Sequence, residues 1–235
     1  MTDTLLESLC AQLKGGLIVS CQAPAGSPLN DPYIISALAL TAEQHGALGV
    51  RIKHADQVAA TKARVRVPVI GLDKVEFADS PVYITPTLAI AERLAASGAD
   101  IIATDATQRP RPNGEPLDVL IRRIQDDLRK PVLADVATLA EGLHAMDCGA
   151  AFVATTLCGY TAESKDAALP AFDLLENLAK RLTVPVICEG GVKTPEDVRR
   201  AFDCGAFAVV VGTAITGVGQ LVEHFVRASP RATPR

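Results

Sequence analysis

The sequence predicts a single-domain (β/α)8 TIM barrel of eight parallel strands, with a short N-terminal helix ahead of the first strand. Three observations point there. Short runs rich in Val, Ile and Leu alternate with amphipathic stretches, the pattern of a parallel sheet covered by helices. Two strand openings, Gly-Ala and Pro-Val, take turns along the chain, and the Gly-Ala glycines lie 52, 51 and 56 residues apart. That period fits paired βα units, and eight slots fill. No Gly-x-Gly-x-x-Gly follows the first strand, so the competing open doubly wound sheet lacks its usual nucleotide fingerprint.

The elements follow in order. MTDTLLESLCAQLKGG spaces its apolar residues as a helix does, and carries acids where a signal peptide needs positive charge. The expected strands are β1 GGLIVSC (15–21), β2 GALGVRI (46–52), β3 PVIGLDK (68–74) and β4 GADIIATDA (98–106). They continue with β5 PVLADV (131–136), β6 GAAFVATT (149–156), β7 PVICEGG (185–191) and β8 GAFAVVVG (205–212). Glycine suits the left-handed end of each preceding helix, and proline suits a first strand position, where no ladder N–H is lost. Between the strands lie helical stretches such as DPYIISALALTAEQ, TPTLAIAERLAAS, LDVLIRRIQDDLR, LAEGLHAMD, LPAFDLLENLAKRL and TPEDVRRAFD. Residues 1–228 are assigned to the barrel and 229–235 to a disordered tail.

Composition narrows the function. With 235 residues, 49% hydrophobic and 21% charged, the chain is long enough for one large core. A net charge of -4 supplies no basic field for nucleic acid or anionic lipid. No apolar run approaches the ~20 residues of a membrane span. Six cysteines without a Cys-x-x-Cys pair read as thiols of a reducing cytoplasm, and the four histidines form no ligand cluster, so no metal site is expected.

In this fold, chemistry collects at the C-terminal ends of the strands. Read in order, those ends carry Gln22, Arg51 and Lys53, Lys74, Asp105, Asp135, Thr155 and Thr156, Glu189, and Gly212. One polar residue at a strand end is usually a satisfied core group. Seven polar ends converging on one rim point to an active site. Lys74, in GLDKVEF, reads as a surface charge, a partner of Asp73 or Glu76, or a base. Glycine-rich turns, Glu189-Gly190-Gly191 after β7 and Gly212-Thr213-Ala214 after β8, resemble this fold's phosphate cradle of free N–H groups and a helix start.

On these residues the chain resembles the N-acylglucosamine-6-phosphate 2-epimerase family, also called N-acetylmannosamine-6-phosphate 2-epimerase. The motifs are SCQ with Pro28-Leu29, GVRI, PVIG-x-x-K, TDATQRPRP, TTLCGYT, EGG-x-x-TP and VGTAIT, spread over nearly the whole chain. The resemblance implies a cofactor-free barrel that inverts C2 of an amino sugar phosphate in sialic acid breakdown. Its only implied partner is that small molecule, and it admits a homodimer. It makes Lys74 the acid/base, with Glu189 either opening the sugar ring or donating on the opposite face. Gln22, Arg51, Asp135 and Thr155 surround the sugar, and Gly190, Gly191, Gly212 and Thr213 hold the phosphate. Removal of a proton next to an aldehyde needs a base with a free lone pair, and burial beside Arg51 and Lys53 would lower the pKa of Lys74 to supply one. Asp105 and Arg109 are expected only to shape the β4 loop, Arg-Pro-Arg-Pro to run extended and solvated, and His54 to be exposed.

The chain also departs from the pattern. Val75-Glu76 replaces an Arg-Asp pair, Gly191 an Arg or Asn, and Gly217 an arginine after Ala-Ile-Thr. With Gly217, backbone N–H groups and Lys193 are left to carry the phosphate charge, and Gly217→Arg is expected to lower KM for a phosphorylated sugar. A Schiff-base aldolase, another sugar-phosphate isomerase and a non-catalytic sugar-phosphate binder remain the competing readings.

Overall fold

Every strand but β2 of the computed structural model, which describes residues 3–230, sends alternate side chains to two different apolar layers; β2 turns Val50 and Ile52 outward and Arg51 inward. The strands are β1 Leu17–Cys21, β2 Gly49–Lys53, β3 Val69–Leu72, β4 Ile101–Asp105, β5 Val132–Asp135, β6 Phe152–Ala154, β7 Val186–Cys188 and β8 Ala208–Val211. They pair in parallel in chain order, and β8 closes on β1 with Leu17 opposite Val209 and Val19 opposite Val211. Ile18, Ile70, Ile101, Leu133, Phe152, Ile187 and Val210 fill the barrel. Val19, Val50, Val69, Ile102, Val132, Val153 and Val209 point outward, against helices. Burial on both faces is why these strands read as unbroken apolar runs.

The helices are α1 Asp3–Leu13, α2 Pro32–Gln44, α3 Ala55–Lys62, α4 Leu88–Ala96, α5 Leu117–Asp126, α6 Leu139–Asp147, α7 Phe172–Arg181, α8 Pro195–Asp203, α9 Thr213–Thr216 and α10 Val218–Arg227. Gly46, Gly98, Gly149 and Gly205 all have φ between 91° and 95°, the left-handed ends expected before β2, β4, β6 and β8. Helix α3 escapes an apolar-period reading because two of its three buried residues, Gln57 and Thr61, are polar. Of the expected tail, residues 231–235 lie outside the described residues, and Ser229 still bonds back to Val226.

Two features at the ends of the chain matter for the site. Leu9 and Leu13 of α1 pack into the interior cluster and close the N-terminal end of the barrel. A Cβ on Gly49 would stand 2.7 Å from Leu13 Cδ2, so any larger residue there would displace the Leu13 side chain. Leu13→Ala is expected to cost about 2–5 kcal/mol, read as a lower urea midpoint at unchanged slope. At the other end α10 buries no residue, and it leaves Val218, Leu221, Val222 and Phe225 exposed at helical spacing.

Candidate active site

The alternation that fills the barrel also builds its open end. Continuing inward parity from Ile18, Leu72, Leu133, Ala154 and Ile187 brings Gln22, Lys74, Asp135, Thr156 and Glu189 to the mouth. From β2, Arg51 crosses the interior to reach three of them.

Arg51 is 1% exposed and grips Asp135 with two parallel bonds, Nη1 to Oδ1 at 3.0 Å and Nη2 to Oδ2 at 2.6 Å. Its Nη1 also donates to Glu189 Oε2 and to Thr156 Oγ1. The Thr156 hydroxyl lies 2.6 Å from Asp135 Oδ1 and 3.2 Å from Glu189 Oε2, with one proton to place between them. Burial alone would lower the Arg51 pKa, but the two carboxylates raise it and keep the guanidinium charged. Burial raises the pKa of Glu189; Arg51 opposes this and Asp135 adds to it.

Lys74 differs from expectation in one respect. Its side chain is exposed to solvent at the end of β3. Confinement among the mouth's walls still lowers its pKa, and the charges of Arg51 and Lys53 act the same way against Glu189 and Asp135. Water reaches the amine, so that lowering is smaller than a closed site would give. The salt-bridge reading fails: Asp73 is engaged by His54 Nδ1 at 2.7 Å and approached by Arg93 at 4.0 Å, and Lys74 forms no ion pair among the described residues. His54 is therefore half-buried and partnered, where the sequence pointed to solvent. Lysine pushed down and glutamate pushed up bring two proton affinities toward each other across one cavity.

Thr155 does not join the mouth. It is fully buried, and its hydroxyl bridges the backbone of Glu189, accepting from N–H at 3.0 Å and donating to C=O at 2.8 Å. The hydroxyl in the cavity belongs to Thr156. Gln22 donates to Ser20 Oγ at 2.8 Å, and Lys53 reaches back to Ala23 O at 3.2 Å, tying down the loop after β1. Asp105 and Arg109 do shape the β4 loop, joined at 2.7 Å with Thr107 bonded to both. Arg111, however, is 7% exposed and donates to Asp105 O and Thr104 Oγ1, so Arg-Pro-Arg-Pro is not a solvated strap. Tyr83, which no strand-end reading reaches, arrives on the loop after β3. Its phenol is pushed up to about 12 by burial and by Asp135 and Asp105.

Gly190 and Gly191 have φ of 104° and 72°, and a Cβ on Gly191 would meet Leu169 Cβ at 2.6 Å. Only glycine makes that turn. Among the described residues, nothing accepts from the backbone N–H groups of Gly190, Gly191, Thr213 or Ala214. The two loops carrying them follow β7 and β8, which are paired neighbours. Gly217 corrects the substitution expected to aid phosphate binding. Its φ is an ordinary -80°, but a Cβ would stand 2.6 Å from Thr213 O and 2.9 Å from Thr213 Cα. Any side chain there pushes on backbone, so Gly217→Arg would distort the turn rather than extend a hand to an anion.

A family model described as "Putative N-acetylmannosamine-6-phosphate epimerase" matches residues 35–230. A "Putative N-acetylmannosamine-6-phosphate 2-epimerase" of Synechococcus elongatus is 51% identical over 219 residues, spanning 92% of this chain and 94% of the relative. Its counterpart in Thermosynechococcus vestitus is 48% identical, spanning 94% and 96%. The solved structure of the N-acetylmannosamine-6-phosphate 2-epimerase from Clostridium perfringens superposes with a TM-score of 0.90 at 39% identity, covering 94% of this chain and 96% of that one. A superposition over nearly the whole of both chains, a continuous match and identities near one half leave one assignment: the chain belongs to the N-acetylmannosamine-6-phosphate epimerase family.

Proposed function

We propose that this enzyme inverts C2 of N-acetylmannosamine 6-phosphate, giving N-acetylglucosamine 6-phosphate, by removing a proton from C2 and returning a proton to it. The observation that carries the reading is an unpaired lysine of lowered pKa facing the Arg51–Asp135–Thr156–Glu189 network. In the open-chain sugar, C2–H lies next to the C1 aldehyde. Lys74 Nζ takes that proton, and negative charge moves to the carbonyl oxygen, within the field of Arg51. Gln22, Asp135 and Thr156 hold the sugar hydroxyls. Gly190, Gly191, Gly212 and Thr213 offer N–H groups to the phosphate.

Glu189 supplies the acid. β7 and β3 are four places apart in a closed ring of eight, so Glu189 faces Lys74 from the opposite wall. Two steps need a proton there: opening the pyranose ring, and reprotonation of C2 from the other face. In Glu189→Gln, C2–H exchange that survives while epimerisation falls assigns reprotonation. Loss of both assigns ring opening. Unchanged turnover would reduce Glu189 to a spacer. The whole reading is tested by incubating the protein with N-acetylmannosamine 6-phosphate in D2O and following C2 by NMR. Deuterium should enter C2 as the second epimer grows, and no exchange at all would overturn it.

The same reading places the enzyme in the breakdown of sialic acids and related amino sugars, in the reducing cytoplasm. All six cysteines are unpaired thiols, which accords with that compartment. Among the described residues, no helix is long and apolar enough to cross a membrane. A homodimer is supported by the apolar stripe of α10, with Phe225 74% exposed. Sedimentation should show a dimer that Phe225→Glu dissociates; a monomeric parent would reject it.

A further inference from the structure

Thr85 is fully buried and has φ of 41°. A residue branched at Cβ stays in the left-handed region only where its surroundings over-determine it. Here three bonds do so. Its N–H donates to Asp73 O at 2.7 Å, its hydroxyl oxygen accepts from the Asp73 N–H at 3.1 Å, and its carbonyl accepts from Thr104 Oγ1 at 3.0 Å. Thr104 is itself held by Arg111 Nη2 at 3.0 Å. One residue thus grips both backbone polar groups of Asp73, and β4 anchors the grip from behind. The next residue in the chain is Lys74. It pairs in antiparallel fashion with Ile84, and the following N–H, of Val75, reaches Tyr83 O at 2.9 Å.

We propose that Thr85 is a positioning residue for Lys74, fixing through Asp73 the direction in which the lysine leaves the end of β3. The inference rests on Lys74 being the base. A solvent-exposed lysine has four free torsions, so the fold controls mainly where its Cα–Cβ bond points. Glycine would adopt φ of 41° without strain, but it has no hydroxyl for the Asp73 N–H. The strained threonine is explained by that hydroxyl. Lys74 faces Arg51 and Lys53 from β2, Asp135 from β5 and Glu189 from β7, and its own backbone pairs with Ile84 on the returning arm of the loop. Loosening the clamp lets the amine drift outward, away from the confinement of the mouth and the charge of Arg51, which together hold its pKa down.

The test compares Thr85→Gly, Thr85→Ser and Lys74→Ala, with kcat and KM for N-acetylmannosamine 6-phosphate measured across pH. Thr85→Gly relieves the backbone but gives up a buried side chain and the bond to the Asp73 N–H, so folding is checked by circular dichroism; the folded variant should lose roughly ten- to a hundredfold in kcat. Its KM should hardly move, and the pH limb that reports the free amine should shift upward. Thr85→Ser keeps the hydroxyl and should restore both kcat and the limb. Thr104→Val loosens the same clamp from behind and should move the limb the same way, which provides the reading if Thr85→Gly does not fold. A folded Thr85→Gly with parental kcat and an unmoved limb overturns the inference, as does a Thr85→Ser as impaired as the glycine variant. If Lys74→Ala is inactive in those cases, the assignment of the base survives. Lys74→Ala at parental turnover would instead remove the base, and the positioning role with it.

Discussion

Lys74→Ala is expected to abolish epimerisation and C2 exchange together, by ~10²-fold or more, in a protein that folds as before. The two halves of that expectation have separate grounds. Stability should hold because the side chain is exposed and forms no ion pair among the described residues, and such surface changes usually stay within about 0.5 kcal/mol. Activity should go because the other cations at the mouth are engaged: Lys53 is tied to Ala23 O, and Arg51 is locked between two carboxylates. Near-parental turnover, measured alongside an unchanged circular dichroism spectrum, would make Lys74 a bystander.

Arg51→Met should have the largest effect on stability, about 3–5 kcal/mol, because it strands Asp135 and Glu189 together without their cation. The pH dependence has a definite sign. Without the guanidinium, burial and mutual repulsion raise the carboxyl pKa above its unfolded value. A carboxyl raised in the folded state gives its stability at low pH and loses it as pH climbs through the folded pKa. The deficit of the variant should therefore shrink on mild acidification and be fully felt at neutral pH. Urea midpoints of parent and variant at both conditions provide the check. A deficit that is flat with pH would mean that the loss is one of packing alone. Turnover should fall as well, since the same guanidinium orients Glu189.

The eight strands and their order were legible because burial on both faces and the glycine and proline punctuation repeat at every turn. Lys74, Glu189, Arg51 and Asp135 were legible as polar residues at the ends of apolar runs. What stayed hidden has three physical causes. Thr155 and Thr156 have the same chemistry, and only the parity carried up from Phe152 and Ala154 separates the buried hydroxyl from the open one. Arg111 and Tyr83 arrive on loops, where no period tells which way a side chain turns. At Gly217 a missing side chain invites the idea of restoring it, but the obstacle is Thr213's backbone, a neighbour in space that motif reading does not supply.

The sealed floor and the open rim make the barrel a blind well. With Leu9 and Leu13 stopping one end, substrate, product and water share a single route past Lys74. A hydron lifted from C2 rests on an amine in contact with bulk water and should wash out before it can be handed back. Sugar labelled with deuterium at C2 would then keep almost no isotopic memory in ordinary water, in either epimer. The enzyme would stamp each turnover with hydrogen drawn from the solvent.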